Sequence, residues 1–397
     1  MGTHKANCRI VAEVLRRHGV TDIVCSPGSR NAPLLLAADA LPKVSTQVII
    51  DERQAAFIAL GMAQISRRPT ALICTSGTAL LNYAPAVAEA YYQGIPLIVV
   101  SADRPARWID QDDSQTLRQP GALANFVKKS FDIPDFDASD EDMCLYANRL
   151  ANDAMIEAMR GRRGPVHINV RLSEPLTGRP AEPLPQQRII KCLEADDILP
   201  KERVRDMAVR FAGKKILVVA GFMAPDARLN KSVTRLASLQ GVYVMHETIS
   251  NLHLPRHHSA VDVILSTLTA EEKERLKPDL VITIGGALVS RYIKEYLRSV
   301  HPAEHWAVGH SHTTVDCFNA LTLRIEADPG RFLSMFGKFL AKEPQTSDYT
   351  SQWNAVKNRA MRSHAQYLAA APWSDLKAAQ TVFAAIPREA NLQLSNG

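Results

Sequence analysis

The chain has 397 residues, 46% apolar and 22% charged, which suffices for two or three domains with buried cores. A net charge of +6 without a long basic run favours small anionic ligands over nucleic acid, and apolar runs broken by Gly, Pro or charge exclude a bilayer span. Six cysteines without any C-x-x-C pair exclude a disulfide scaffold and the common zinc ribbons, and fit reduced thiols in a cytoplasm.

The amino terminus carries no signal-peptide core and leads into an amphipathic helix predicted over 6–18, closed by Gly19. A strand over 21–25 breaks at Pro27-Gly28. A second, over 48–50, feeds Asp51-Glu52 and an Ala-rich helix ending near Arg67-Arg68-Pro69. Residues 71–74 lead to Thr75-Ser76-Gly77-Thr78 and a helix closed by Gly94 and Pro96. Strands over 98–100 and 166–170 complete a parallel sheet covered by helices, so 1–175 reads as one α/β domain. Pro175, Pro180, Pro183 and Pro185 predict a stiff linker within 176–205. Over 206–345 the α/β pattern repeats, with strands over 216–220, 242–245, 280–284, 306–308 and 323–325. The fold class is therefore α/β, two successive doubly wound parallel-sheet domains. Helices over 349–370 and 375–386, then a strand-like run over 391–394, make 346–397 a helical linker and the opening of a further α/β unit. The expectation is a chain that stops short of that unit.

Ligands of open parallel sheets gather outside the carboxyl ends of the strands. Three such ends carry polar turns: Ser26-Pro27-Gly28-Ser29-Arg30, Asp51-Glu52, and Thr75-Ser76-Gly77-Thr78. Glu52 follows an apolar strand and starts a helix, where the helix amino terminus favours its carboxylate and desolvation opposes it. A plain first-turn acid is the alternative. Arg30 with the backbone of its turn suits bidentate carboxylate binding, and a tight turn with a surface Arg explains it equally well. Thr78 at a helix start suits an anion or an ordinary N-cap. Arg104, Arg107 and Arg118, with Gln111 and Gln115, follow the strand ending at Ser101, where Asp103, Asp110, Asp112 and Asp113 offer simple ion pairs. Gly285-Gly286 is no G-x-G-x-x-G, and neither a Walker A motif nor a G-x-S-x-G elbow occurs. His305, His310 and His312 lack an acidic or Cys partner at ligand spacing, so no metal site is predicted.

Together, Ser26 to Leu34, Asp51 to Phe57, Thr75 to Ala79, Ser101 to Pro105 and Gly285 to Arg291 resemble one family in motif, order and spacing. It is the 2-succinyl-5-enolpyruvyl-6-hydroxy-3-cyclohexene-1-carboxylate (SEPHCHC) synthase family of thiamine-diphosphate enzymes. The resemblance implies a pyrimidine-binding domain, a central domain and a third, diphosphate-binding domain that is absent here. That third domain carries the Gly-Asp-Gly which, with Mg2+, holds thiamine diphosphate. No Gly-Asp-Gly occurs in this sequence, so the chain alone is expected to lack robust turnover.

By the same resemblance Glu52 hydrogen-bonds the cofactor's pyrimidine nitrogen and promotes removal of the thiazolium proton. 2-Oxoglutarate would then lose carbon dioxide, the cofactor accepting the electron pair of the broken bond, and its four-carbon unit would add to isochorismate. Gly28 and Thr78 join Glu52 at the cofactor. Ser29, Arg30, Arg104, Gln115 and Arg291 bind the carboxylates or hydroxyls of these anionic substrates. Ser290 stands where some relatives place a basic residue. The resemblance further implies a homodimer or tetramer in menaquinone biosynthesis, without nucleic acid. Two other readings remain: a non-catalytic carboxylate-binding or regulatory module, and an acetolactate-synthase type of enzyme, against which the Ser29-Arg30 pair argues.

Overall fold

A computed structural model describes residues 2–178, 186–195, 197–255, 260–311 and 313–392. The chain divides into two units, Met1–Ala195 and Asp196–Gly397. Each is built on one parallel sheet.

In the first unit the strands are β1 (Asp22–Cys25), β2 (Ser45–Val48), β3 (Thr70–Cys74), β4 (Leu97–Asp103), β5 (Ser130–Ile133) and β6 (Val166–Arg171). They run in the order β2-β1-β3-β4-β6-β5. Strand residues alternate between two cores: Ile23, Cys25, Ala71 and Ile73 face one, while Val24, Leu72 and Cys74 face the other. Helices cover both faces, as parallel sheets require. The helix Glu52–Ser66 starts because the Asp51 side chain accepts the Gln54 N–H at 2.8 Å, and it ends where Arg67 turns left-handed. Its Ala55, Ala56, Ala59 and Ala63 are buried, and small side chains let it lie close on β1 and β3.

Two sequence expectations shift here. The second strand is Ser45–Val48 rather than 48–50, because its partner β1 has four residues and pairs Cys25 with Val48. β2 is an edge strand with a mostly exposed side-chain row, so its apolar run marks the exit toward Glu52, where Ile50 is exposed. β4 extends past Ser101 to Asp103, which places Asp103 inside the sheet instead of in the arginine-rich loop. Pro180, Pro183 and Pro185 of the expected linker lie outside the described residues. Around them, the Asn148 and Asn152 amides donate to the Arg188 carbonyl at 3.0 and 3.1 Å, and the Ile190 N–H donates to Asn152. These bonds fasten the segment to the first unit.

The second unit holds β7 (Ile216–Ala220), β8 (Val242–His246), β9 (Leu280–Ile284), β10 (Glu304–Val308) and β11 (Leu323–Ile325), in the order β11-β10-β9-β7-β8. Its cores again lie on both faces of the sheet. The helix Tyr349–Ala370 forms where predicted, but it is no linker over its first half: Tyr349, Trp353, Val356 and Ala360 are buried in the core beside β8. Leu276 helps close that core, its carbonyl accepting both the Tyr296 and Tyr349 hydroxyls. Of the expected last strand, Asn391 and Leu392 form none, and the remainder lies outside the described residues.

Candidate active site

The chain leaves β1 for β2 on one side and returns to β3 on the other, which makes the β1–β3 edge a topological switch point. The turns after β1 and β3 and the helix start after β2 stand at this one edge, because the three strands are parallel neighbours.

The crevice is tightly framed. The Ser26 N–H donates to the Ile73 carbonyl at 2.9 Å, and the Asn31 amide donates to the Ser26 carbonyl at 2.7 Å. The buried Tyr83 hydroxyl bonds the Ile73 carbonyl at 2.8 Å and Ser26 Oγ at 3.0 Å, bridging the two strand ends. Gly28 lies flat on Thr75: a Cβ there would sit 2.5 Å from the Thr75 Cβ. Only glycine allows that approach.

Glu52, half-buried, opens the helix at this edge. Its charge bears on both Cys74 and Tyr83, whose pKa values burial raises and the Glu52 carboxylate raises further. Among the described residues no hydrogen bond or ion pair engages that carboxylate. An unpartnered acid facing the crevice fits a protonated ring nitrogen, which is what the pyrimidine of thiamine diphosphate presents. For Mg2+ the fit is different: the described residues contain no group of three or more His, Cys, Asp or Glu side chains able to hold a metal ion.

Arg30 and Arg104 hang from the end of β6. The buried Arg30 donates to the Leu172 carbonyl at 3.0 Å and pairs with Glu174 at 3.0 Å. Arg171 donates to the Arg104 carbonyl at 3.1 Å, and the Arg104 guanidinium pairs with Asp113 at 2.9 Å. The Arg104 Nε is buried without a hydrogen-bond partner. Gln115 is exposed and covers Gly77 so closely that a Cβ there would lie 2.6 Å from Gln115 Cγ. Ser29 and Thr78 are exposed, and Thr78 makes no side-chain cap bond. Arg118 forms an exposed pair with Asp110, and Arg107 stacks over Trp108, as the surface reading of those arginines expects.

Arg291 belongs to the second unit. Its guanidinium is 86% exposed and pairs with Glu295 at 2.5 Å, one turn along its own helix. Ser290 caps that helix by accepting the Ile293 N–H at 3.1 Å while its hydroxyl bonds Asp262. The buried Glu247 carboxylate accepts the N–H groups of Val289 and Ser290. The switch point of this sheet is filled by backbone: Gly286 N–H donates to the Phe222 carbonyl at 2.7 Å, and a Cβ on Gly221 would meet the Gly286 oxygen at 2.3 Å. His305 is buried against Thr283 and its pKa is lowered to about 4 by burial. His310 pairs with Asp197 at 3.0 Å, and His312 lies outside the described residues.

Sequence reasoning did not single out Tyr83, Gln119, Asn169 or the buried role of Asp103. One signal was available. Ser101 and Asp103 alternate along β4, and His167, Asn169 and Arg171 along β6, in strands that are otherwise apolar; their register pairs Ser101 with Asn169 and so puts them on one face.

Residues 8–122 match the family model described as "Thiamine pyrophosphate enzyme, N-terminal TPP binding domain", and residues 193–394 match "Middle domain of thiamine pyrophosphate". A SEPHCHC synthase of Porphyromonas gingivalis is 40% identical over 99% of this chain and 69% of its own length. One of Bacteroides fragilis is 37% identical over 100% and 70%, and one of Bacteroides thetaiotaomicron 36% identical over 100% and 70%. Such identity across nearly every residue of this chain is not a likeness of fold alone, and the Ser26–Arg30, Glu52 and Thr75–Thr78 elements framing one crevice agree with it. The chain belongs to the SEPHCHC synthase family of thiamine-diphosphate-dependent transferases.

Proposed function

We propose that this protein decarboxylates 2-oxoglutarate and adds the four-carbon unit to isochorismate, giving SEPHCHC in menaquinone biosynthesis. The observation that carries the reading is the Glu52 carboxylate at the β1–β3 crevice, without a hydrogen bond or ion pair among the described residues and near enough that its charge bears on Tyr83 and Cys74. Thiamine diphosphate, when bound with Mg2+, supplies the electron sink for loss of carbon dioxide and formation of the new carbon–carbon bond. Glu52 holds a proton at the pyrimidine nitrogen. Gly28 and Thr78 shape the edge that the pyrimidine approaches.

Substrate binding falls to groups that match dianions. Arg30 presents a buried fork, suited to bidentate pairing with a carboxylate. Arg104, with a donor left unbonded at Nε, and Gln115 and Ser29, exposed beside the same edge, complete the set. Arg291 remains in this proposal as a cation free of burial. On this reading the first unit is the pyrimidine-binding domain and the second the central domain, and the diphosphate and metal are held by groups other than the described ones. A homodimer or tetramer in the cytoplasm belongs to the same reading; exposed Phe57 and Ile65 on the helix Glu52–Ser66, Leu81 on Ala79–Asn82 and Tyr92 on Ala84–Gln93 support association. Among the described residues no helix is long and apolar enough to cross a membrane.

The test is product formation from 2-oxoglutarate and isochorismate by the holoenzyme, run beside the same protein without thiamine diphosphate or without Mg2+. The reading expects carbon dioxide release that requires both thiamine diphosphate and Mg2+. Calorimetric binding of isochorismate-type dianions without any thiamine-diphosphate signal would instead favour a carboxylate-binding module.

A further inference from the structure

Five side chains with no surface exposure form one polar network beside the crevice: Ser101, Asp103, Gln119, His167 and Asn169. Burying so many polar groups is costly unless each is bonded, and here the bonds run in a continuous line. The Gln119 Oε1 accepts the Gly77 N–H at 2.7 Å. Its Nε2 donates to Asn169 Oδ1 at 2.8 Å and to the Ala102 carbonyl at 3.0 Å, with Ser101 Oγ 3.2 Å away; the Ser101 hydroxyl donates to Asn169 Oδ1 at 2.9 Å and lies 2.7 Å from His167 Nε2. Asn169 donates in turn to Asp103 at 2.9 Å and Asp132 at 2.8 Å. Asp103 accepts the Arg104 N–H at 2.8 Å, and Arg171, paired with Asp103 and Asp132, donates to the Arg104 carbonyl. One end of the line thus grips Gly77 in the turn after β3. The other grips both backbone polar groups of Arg104.

We propose that Gln119 is a positioning residue for substrate binding: it locks the 104–118 segment, carrying Arg104 and Gln115, against the Gly77 turn. The inference rests on the reading that Arg104 and Gln115 meet the substrate acids. Its chemistry is specific to an amide. The Gly77 N–H needs an acceptor, whereas the Ala102 carbonyl and Asn169 Oδ1 take a donor, and only Gln at this length presents both at once. Gly77 itself has φ +85° and is covered by Gln115, so the turn has little freedom to find another partner.

Gln119→Glu separates the two halves of that role. Its carboxylate keeps an acceptor for Gly77 but sets a second oxygen against the Ala102 and Asn169 oxygens, beside the Asp103 and Asp132 carboxylates, Arg171 and the neutral His167. A proton on the new carboxyl restores the donor. In the holoenzyme we expect Gln119→Glu to raise the KM for isochorismate about tenfold at pH 8, the scale of one lost buried hydrogen bond, with kcat altered less. The defect recedes toward pH 5.5, a limb the parent protein lacks. Gln119→Met, which can neither accept nor donate at this position, should raise KM at every pH and release the Gly77 amide to hydrogen exchange.

Two further measurements keep the outcomes apart. In the parent protein the Gly77 amide must exchange more slowly than the neighbouring Thr78 amide; equal, fast exchange overturns the proposal whatever the variants do. Arg104→Ala is assayed in parallel. A raised KM in Arg104→Ala with parental values and pH profile in Gln119→Glu would refute the positioning role alone. An unchanged KM in Arg104→Ala would refute the substrate reading on which it stands.

Discussion

Arg30 and Glu174 form an ion pair of 3.0 Å in which the cation is buried and the carboxylate is 67% exposed. The asymmetry matters. Arg30 keeps one fixed bond, to the Leu172 carbonyl, while its second partner stands in solvent, where such a pair contributes little net stability. A substrate carboxylate can therefore replace Glu174 at small cost. Glu174→Gln is expected to leave the melting temperature within a few degrees of the parent and to lower the KM for the acid substrates. Arg30→Lys should raise that KM about tenfold, because a point charge replaces a fork. Steady-state kinetics check both. A KM unmoved by Arg30→Lys would show that Arg30 holds no substrate carboxylate.

Burial lowers the pKa of His167 to about 4, against an ordinary value of 6.5. The folded state therefore holds this imidazole neutral, and the unfolded chain takes up the proton first as pH falls. The associated stability is complete above about pH 6.5 and is lost progressively down to about pH 4, amounting to about 2–3 kcal/mol at pH 4.5. Urea unfolding of His167→Asn should accordingly decline less steeply with falling pH than that of the parent. Parallel pH profiles would contradict a neutral buried His167.

The helix Tyr349–Ala370 is anchored to the second unit through Trp353, which stacks on Tyr243 at 5.1 Å and meets Tyr296 edge-on at 5.8 Å. Trp353→Ala should cost about 3–5 kcal/mol, the usual range for emptying a buried aromatic site. Trp373→Ala, at an exposed position, should change stability by less than about 0.5 kcal/mol. Equal effects of the two substitutions on urea unfolding would show that this helix is a linker after all.

The two parallel sheets were legible because strands buried on both faces read as apolar runs between Gly, Pro and polar turns. The strands over 216–220, 280–284 and 323–325 form at those residues. The edge strands of the first sheet were less legible: β2 has an exposed row, and β5 alternates Phe131 and Ile133 with Ser130 and Asp132 over only four residues. At the crevice, the turns were visible in the motifs, since each stands directly after its own strand. The frame behind them was not. Asp103 and Asn169 are far apart in sequence and meet through the register of β4 with β6, and Gln119 joins them from the loop after β4. Ser290 shows the converse case: in sequence it stands where some relatives place a basic residue, while in the structure its hydroxyl is engaged in capping a helix and bonding Asp262.

Glu52 carries the central claim, and its role is chemical before it is structural. Gln has nearly the same shape but cannot share a proton with a ring nitrogen. The direct measurement is hydrogen–deuterium exchange at the thiazolium carbon of thiamine diphosphate bound to the holoenzyme, comparing Glu52→Gln with the parent. Exchange slower by about 100-fold or more is the predicted result, in line with general acid–base contributions of this kind. An unchanged exchange rate, with cofactor bound equally well, would contradict the account.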